Sequence, residues 1–210
     1  MCGGAFVPRQ RSLTPSLIAA AALRVGDRDG SKAMTMRHIA SELGYDPMAL
    51  YRYFPDRQAL LDAVADLALA DVPDPDPGSG WEDRLSTILI GIRSAALAHP
   101  GIAGHVASRP PLRANGQRLG MGLMTALRDA GLPPPDVVRA AQTLVAYVAA
   151  ALAMAVQAGE RDDRWHQVAR TIGELRGDEA GADLPVVGSE DQFSYGLRLL
   201  LAGIRAEVGR

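Results

Sequence analysis

Residues 35–57, Thr-Met-Arg-His-Ile-Ala-Ser-Glu-Leu-Gly-Tyr-Asp-Pro-Met-Ala-Leu-Tyr-Arg-Tyr-Phe-Pro-Asp-Arg, constrain the fold more tightly than any other stretch of this chain. Thr35 is a good N-cap, and Ile39, Ala40 and Leu43 give the short helix behind it a single apolar stripe. Gly44 follows where a left-handed residue ends a helix. Asp46 then caps a second helix whose first turn holds Pro47, where the missing N–H costs nothing and the fixed φ helps. Leu50 and Phe54, four apart, face the first helix. Pro55 closes the segment, because the residue before a proline is pushed out of the α region. The pattern predicts two short helices joined by a tight turn, the second running from Pro47 to Phe54.

Flanking helices build a core around this pair. Upstream, Thr14-Pro15 opens a helix with Leu17, Ile18, Ala21, Ala22 and Val25 on one face before Gly26. Downstream, Asp56 caps a longer helix dominated by Leu60, Leu61, Val64, Leu67 and Leu69. The proline-rich run from Asp71 to Gly80 then reads as a stiff-then-flexible connector.

At this point residues 14–71 resemble the DNA-binding domain of the tetracycline-repressor (TetR) family. The likeness rests on Thr35-Met36-Arg37-His38-Ile39-Ala40, Leu43-Gly44-Tyr45, Leu50-Tyr51-Arg52-Tyr53-Phe54 and Ala59-Leu60-Leu61. The resemblance implies that Thr35 and Arg37 hold phosphate or reach a base edge, and that Pro47, Met48 and Ala49 form the tip that enters the major groove. It also implies that Tyr51 and Tyr53 contact phosphate and that Arg57 touches the DNA backbone, with Arg52 on the same exposed surface. Arg37 alone among these has a fork suited to guanine O6 and N7, whereas Met48 and Ala49 can pack only on a thymine methyl. Read from the residues alone, a helix-turn-helix also occurs in helical bundles that touch no DNA, so a ligand-binding or interaction module is the alternative.

Charge adds mild support. Residues 9–60 hold eight Arg or Lys against five Asp, Glu, a net of +3, while the whole chain carries −2 and the remainder therefore −5. A pI near 6.1 predicts no strong whole-molecule attraction to nucleic acid, so specific geometry and pairing of copies must supply affinity. Aromatics make up only 5% of the 210 residues and hydrophobic residues 48%, so an all-α chain with a sizeable core is expected. Cys2 is the single cysteine, which allows no internal disulfide and suits a reducing cytoplasm. Neither a signal peptide nor an uninterrupted apolar run of membrane-spanning length is evident, so no membrane partner is expected.

A larger helical unit begins at Trp81. Trp81, Leu85, Ile88, Leu89, Ile92 and Ala96 form a stripe that ends at His99-Pro100-Gly101; Ile102–Ala107 is a short helical turn; Leu112–Ala130 is helical. Asp136 caps a long helix through about Ala158 that is hydrophobic nearly all round and must be buried on several sides. Phe193–Val208 is a second apolar helix, and residues 173–190 read as a mobile loop. Two apolar helices in so small a unit suggest a subunit interface in which a pair from each protomer makes a four-helix bundle, through Val145, Val148, Leu152, Leu197, Leu200 and Ile204.

This unit resembles the tetracycline-repressor type of C-terminal domain through His99-Pro100-Gly101, His105 to Arg109-Pro110, Leu127 to Leu132, and Val145-Ala146-Tyr147. In repressors that bind tetracycline with magnesium, a histidine at the place of His105 coordinates the metal. The family's other drug-contacting histidines fall here near Pro73 and at Tyr147, so tetracycline-magnesium is not expected as the ligand, and no metal site or cofactor is assigned. Helices that cross at Ala- and Gly-rich faces leave cavities, with Ile92, His105, Arg109, Leu123, Leu127, Tyr147 and Met154 as candidate lining. No nucleophile elbow, phosphate-cradling loop or paired Cys/His cluster is evident, and Gly78-Ser79-Gly80 follows prolines and not a strand, so no enzyme is expected.

The expectation is an all-α chain. Residues 1–13 are a disordered N-terminal segment, 14–71 a three-helix helix-turn-helix DNA-binding domain, 72–80 a connector, and 81–210 a larger helical ligand-binding and dimerisation domain. Its expected partners are palindromic operator DNA, a small-molecule effector of unknown identity and a second copy of itself.

Overall fold

The computed structural model describes residues 12–109, 112–157, 163–176 and 186–209, and among these every regular element is helical. Ten α-helices follow in order: α1 Pro15–Asp29, α2 Met36–Leu43, α3 Pro47–Tyr51, α4 Arg57–Ala68, α5 Trp81–Leu97, α6 Pro100–Ser108, α7 Ala114–Asp129, α8 Pro134–Gln157, α9 Asp163–Arg176 and α10 Glu190–Val208. A 3₁₀ turn, Ser31–Ala33, joins α1 to α2.

The helix starts follow local chemistry. Thr14, Thr35, Asp46, Asp56 and Ser189 each accept a backbone N–H two or three residues ahead through the side chain. Gly44 has φ 73°, and the Tyr45 N–H donates to the Ala40 carbonyl at 2.9 Å, the wrap that closes a helix on a left-handed residue. The second helix of the pair is shorter than its sequence pattern: α3 stops at Tyr51, and Tyr53 and Phe54 both donate to the Leu50 carbonyl at 3.0 Å in a closing turn. Pro55 removes the next donor and bars Phe54 from helical backbone, so the termination spreads back over a full turn.

Two apolar clusters organise the molecule. The first gathers Ile18, Val25, Ile39, Leu50, Phe54, Leu60 and Val64 from α1–α4. It also takes in Ile102, Ala103 and Val106 of α6 and Leu152 of α8, so the helix-turn-helix rests directly on the second unit. The second cluster joins α5, α7, α8 and α10, and it includes Leu69 and Val72. The segment expected to be a stiff-then-flexible connector is held at its start: Val72 packs on Gly91, and Arg118 Nη2 donates to the Val72 carbonyl at 3.0 Å and pairs with Asp74.

The seam between the units is close and polar. A Cβ on Gly101 would stand 2.3 Å from the Gly26 backbone, so α1 and α6 touch main chain to main chain. His99 Nδ1 lies 2.8 Å from Asp27 Oδ2, and His105 Nε2 lies 2.8 Å from Asp62 Oδ1. Buried Asp66 of α4 accepts from the Gly116 N–H at 3.0 Å and from Asn115 Nδ2 at 3.2 Å, tying α4 to the start of α7.

Two corrections concern the later helices, α8 and α9. Residues 163–176 form α9, so the expected loop from 173 is helical through Arg176; the described part of the remainder, 186–189, is a turn in which Gly188 has φ 82°, and 177–185 lie outside the described residues. The expected disordered segment likewise lies outside them except for Ser12 and Leu13. Finally, α8 is buried along one stripe only, Val137, Leu144, Val148, Ala151 and Leu152. Val138, Gln142, Ala146, Ala150 and Met154 face outward. By length and composition α8 could cross a membrane, yet here its buried stripe packs in the helical core and its outer face carries Arg139, Gln142 and Thr143.

Candidate functional site

The reading head is the exposed edge of α2 and α3. Leu50 and Phe54 are anchored in the core, and this turns their neighbours outward: Met48 is 69% exposed and Tyr51 44%. Pro47 and Ala49 are half-buried beside Met48, so the tip is small, apolar and blunt. Arg37, Tyr51 and Arg52 are exposed, and their side chains make no hydrogen bond or ion pair among the described residues. Thr35, also exposed, has its hydroxyl oxygen accepting from the His38 N–H at 3.2 Å, and its hydroxyl hydrogen remains to donate.

Two expected DNA contacts are engaged within the protein. Arg57 Nε donates to the Met34 carbonyl at 2.7 Å and its Nη2 to the Ser31 carbonyl at 2.8 Å, which ties the 3₁₀ turn to α4. The Tyr53 hydroxyl donates its single hydrogen to the Leu13 carbonyl at 2.8 Å, so a phosphate can take that hydrogen only if Leu13 gives it up. Arg28 is likewise committed, bridging Asp29 and Glu42 across α1 and α2; its hydrogen bonds and charge hold both carboxyls below their ordinary range.

Beneath the head, α5, α6, α7 and α8, with Leu69 just beyond α4, line an apolar cavity of about 90 Å³. Its walls are Leu69, Leu89, Ile92, Val106, Leu119, Leu123, Val145, Val148 and Leu152, with Gly116, Gly120 and Ala149 as the low points. Gly120, Leu123, Val145 and Ala149 also line an open groove of about 460 Å³ between α7 and α8 that reaches Met124 and Gln142. A Cβ on Gly120 would meet nothing within 4 Å, so this glycine leaves space at the junction of cavity and groove.

Of the seven expected lining residues, the cavity includes Ile92 and Leu123. Leu127 is one turn too far along α7 and is fully buried in the second cluster. His105 is paired with Asp62 at the domain seam, and Arg109 is exposed with Nε 3.5 Å from the same carboxylate. Burial acts to raise the Asp62 carboxyl, but the His105 hydrogen bond and the Arg109 and His105 charges outweigh it and hold the group low. Tyr147 stacks on Phe193, ring centres 5.6 Å apart, and donates to the Phe193 carbonyl at 2.8 Å; burial raises its phenol. Met154 points outward, 46% exposed.

The expected interface set divides in the same way. Val145, Val148 and Leu152 face the cavity, and Leu197 is buried inside the protomer. Leu200 and Ile204 are half-buried in a groove of about 510 Å³ between α8 and α10, alongside Leu199. The outermost apolar side chains of α10 are Tyr195 and Leu199, each 56% exposed. Sequence reasoning missed Arg93: its guanidinium is buried on α5, lies 5.0 Å above the Phe193 ring, donates to the Gly188 carbonyl at 2.7 Å and pairs with Glu190. It fixes the start of α10, and nothing in its local sequence marks it.

An exposed helix-turn-helix set on a helical body with an apolar cavity defines a DNA-binding regulator with a separate effector domain. Residues 18–64 match the family of bacterial regulatory proteins of the tetR family, and residues 74–208 match the tetracyclin repressor-like C-terminal domain. The chain belongs to the TetR family. Among its relatives is the transcriptional repressor DrrR1 of Streptomyces coeruleorubidus, 27% identical over 95% of this chain and 80% of the relative. ActR of Streptomyces coelicolor, solved in complex with (S)-DNPA, superposes with a TM-score of 0.79 at 28% identity over 94% of this chain and 99% of that one. BioQ, solved with its natural double-stranded DNA operator, superposes with a TM-score of 0.68 at 27% identity over 93% of this chain and 99% of that one.

Proposed function

We propose that this chain is a homodimeric cytoplasmic repressor in which each protomer sets α3 into one half of a near-palindromic operator and a small apolar molecule in the cavity releases it. DrrR1 is named a repressor, BioQ was solved on operator DNA and ActR with a small molecule, and all three align along most of this chain. One observation carries the reading: the cavity wall includes Leu69, just beyond α4, and Val106 of α6, the two elements on which the reading head rests.

The size of the cavity supplies the mechanism. At about 90 Å³ it is well below the roughly 300–1,000 Å³ of sites that hold drug-sized ligands, so a ligand must spread α7 from α8 and press on Leu69 and Val106. Displacing α4 and α6 shifts the helix-turn-helix packed on them. In a two-fold dimer that shift alters the separation of the reading heads, which operator DNA requires to be about 34–36 Å. The ligand's leverage equals its differential affinity for the two spacings. No charged side chain lines the wall, which favours an uncharged, largely apolar effector and argues against a metal-bound drug. Pairing of the outer faces of α8 and α10 with a second copy would cover Leu199 and Tyr195 and close a four-helix bundle.

Gly120→Leu tests the assignment, because the added side chain grows into empty space at the cavity's mouth. Titration with the neutral fluorophore N-phenyl-1-naphthylamine is expected to show saturable binding to the wild type that is lost in the variant, and to weaken DNA binding by the wild type alone. Equal probe binding by both proteins, or a filled cavity with unchanged DNA affinity, would contradict the coupling.

A further inference from the structure

Among the 22 basic residues of this chain a single one is lysine, and the fold places it in the 3₁₀ turn between α1 and α2. Lys32 is exposed, and its ammonium group makes no hydrogen bond or ion pair among the described residues. The acidic residues just before it are taken: Asp27 pairs with His99, and Asp29 pairs with Arg28. The turn itself is firmly held. Met34 is buried against Gly26, and the Thr35 N–H donates to the Ala33 carbonyl at 2.7 Å. Arg57 grips the turn from α4, with Nε on the Met34 carbonyl and Nη2 on the Ser31 carbonyl, so its two hydrogen bonds fall on either side of Lys32.

We infer that Lys32 is a contact to the DNA backbone and that Arg57 is the residue that positions it. The inference rests on the DNA-binding reading given above and adds to it a cation outside the helix-turn-helix pattern. Three residues of chain span at most about 11 Å, which bounds the separation of the Lys32 and Thr35 Cα atoms, and the 3₁₀ turn shortens it. The Thr35 hydroxyl and the Lys32 ammonium therefore serve the same stretch of phosphate strand. An ammonium on a flexible four-carbon stem is a point charge suited to a phosphate oxygen, with no fork for a base edge, so Lys32 adds affinity without adding sequence preference. That addition matters here, because Arg28 is committed to Asp29 and Glu42 and the head keeps few free cations. Arg57 uses two of its donors on main-chain carbonyls and acts on DNA through the place it gives Lys32 and Thr35.

The test uses the full chain and a duplex enriched by the wild type from random DNA. Lys32 carries the one ε-amine of the chain, so its acetylation by an N-hydroxysuccinimide ester, read by peptide mass spectrometry, reports contact in the wild type itself. The enriched duplex is expected to slow labelling at Lys32 several-fold. Lys32→Ala is expected to melt like the wild type, to keep its base preference, and to lower the slope of log K against log salt by about 1 for each protomer bound. Lys32→Arg is expected to restore that slope. Arg57→Lys keeps the charge and loses the double grip on the turn, and is expected to bind several-fold more weakly with base preference unchanged. Equal labelling with and without the duplex, or a wild-type slope in Lys32→Ala, overturns the contact. Wild-type affinity in Arg57→Lys overturns the positioning role, because a phosphate contact made by Arg57 itself would survive that change. Failure of the wild type to enrich any duplex would remove the DNA-binding reading, and this inference with it.

Discussion

Tyr51 and Tyr53 stand two positions apart and carry different tasks, because one hydroxyl is open to solvent and the other is bound to Leu13. Tyr51→Ala is expected to weaken operator binding about tenfold with the same sequence preference, a hydrogen bond to a charged group being worth about 1.5–3 kcal/mol. Arg37→Ala is expected to cost about 1–3 kcal/mol and to relax preference at one base pair; titration against a panel of single-base operator variants separates the two outcomes. The caps at Thr35, Gly44 and Asp46 were legible in the sequence because each acts on residues two to five positions away. The His105–Asp62 pair spans 43 positions and the Arg93–Glu190 pair 97, and no local pattern announces either. For the same reason the sequence does not announce that Arg57 also ties the 3₁₀ turn to α4: its carbonyl partners are more than twenty residues away.

Among the elements, α8 exposes the limit of periodicity. A helix apolar on every side does not declare which stripe its own chain covers, so Val148 and Leu152 could be assigned to a partner when they line the protomer's cavity. The face left over, Val138, Ala146, Ala150 and Met154, is small and apolar enough for close helix approach. On α10 the corresponding outer residues are Tyr195 and Leu199. Leu199→Asp is therefore expected to yield a folded monomer, since Leu197 and Leu201 still hold the protomer core. Sedimentation equilibrium with circular dichroism checks this, and a variant that sediments as an intact dimer would place the interface elsewhere. The helix α9 went unread because its polar and charged residues mask a short apolar stripe, with Val168 and Leu175 both exposed.

At the scale of the whole molecule, the two units are joined by carboxylates of α4 that reach α6 and α7, and Asp62 gives this seam a pH dependence. Its carboxyl is held below the ordinary value of 3.8, so its contribution to stability is full above that value and is lost as pH falls through the depressed one. Asp62→Asn is expected to melt lower than the wild type at neutral pH, and the gap is expected to close in acid below that ordinary value. A gap that persists there would show that Asp62 acts through packing and not through charge.

The central claim is that α3 reads DNA as one of a two-fold pair. Selection of bound fragments from a random duplex pool by the full-length protein, followed by sequencing, measures it most directly. The expected result is a near-palindrome whose half-site centres lie about one helical turn, roughly 34–36 Å, apart or a multiple of it, with enrichment abolished or strongly reduced for Tyr51→Ala. A pool that emerges with the sequence distribution of its input would contradict the account.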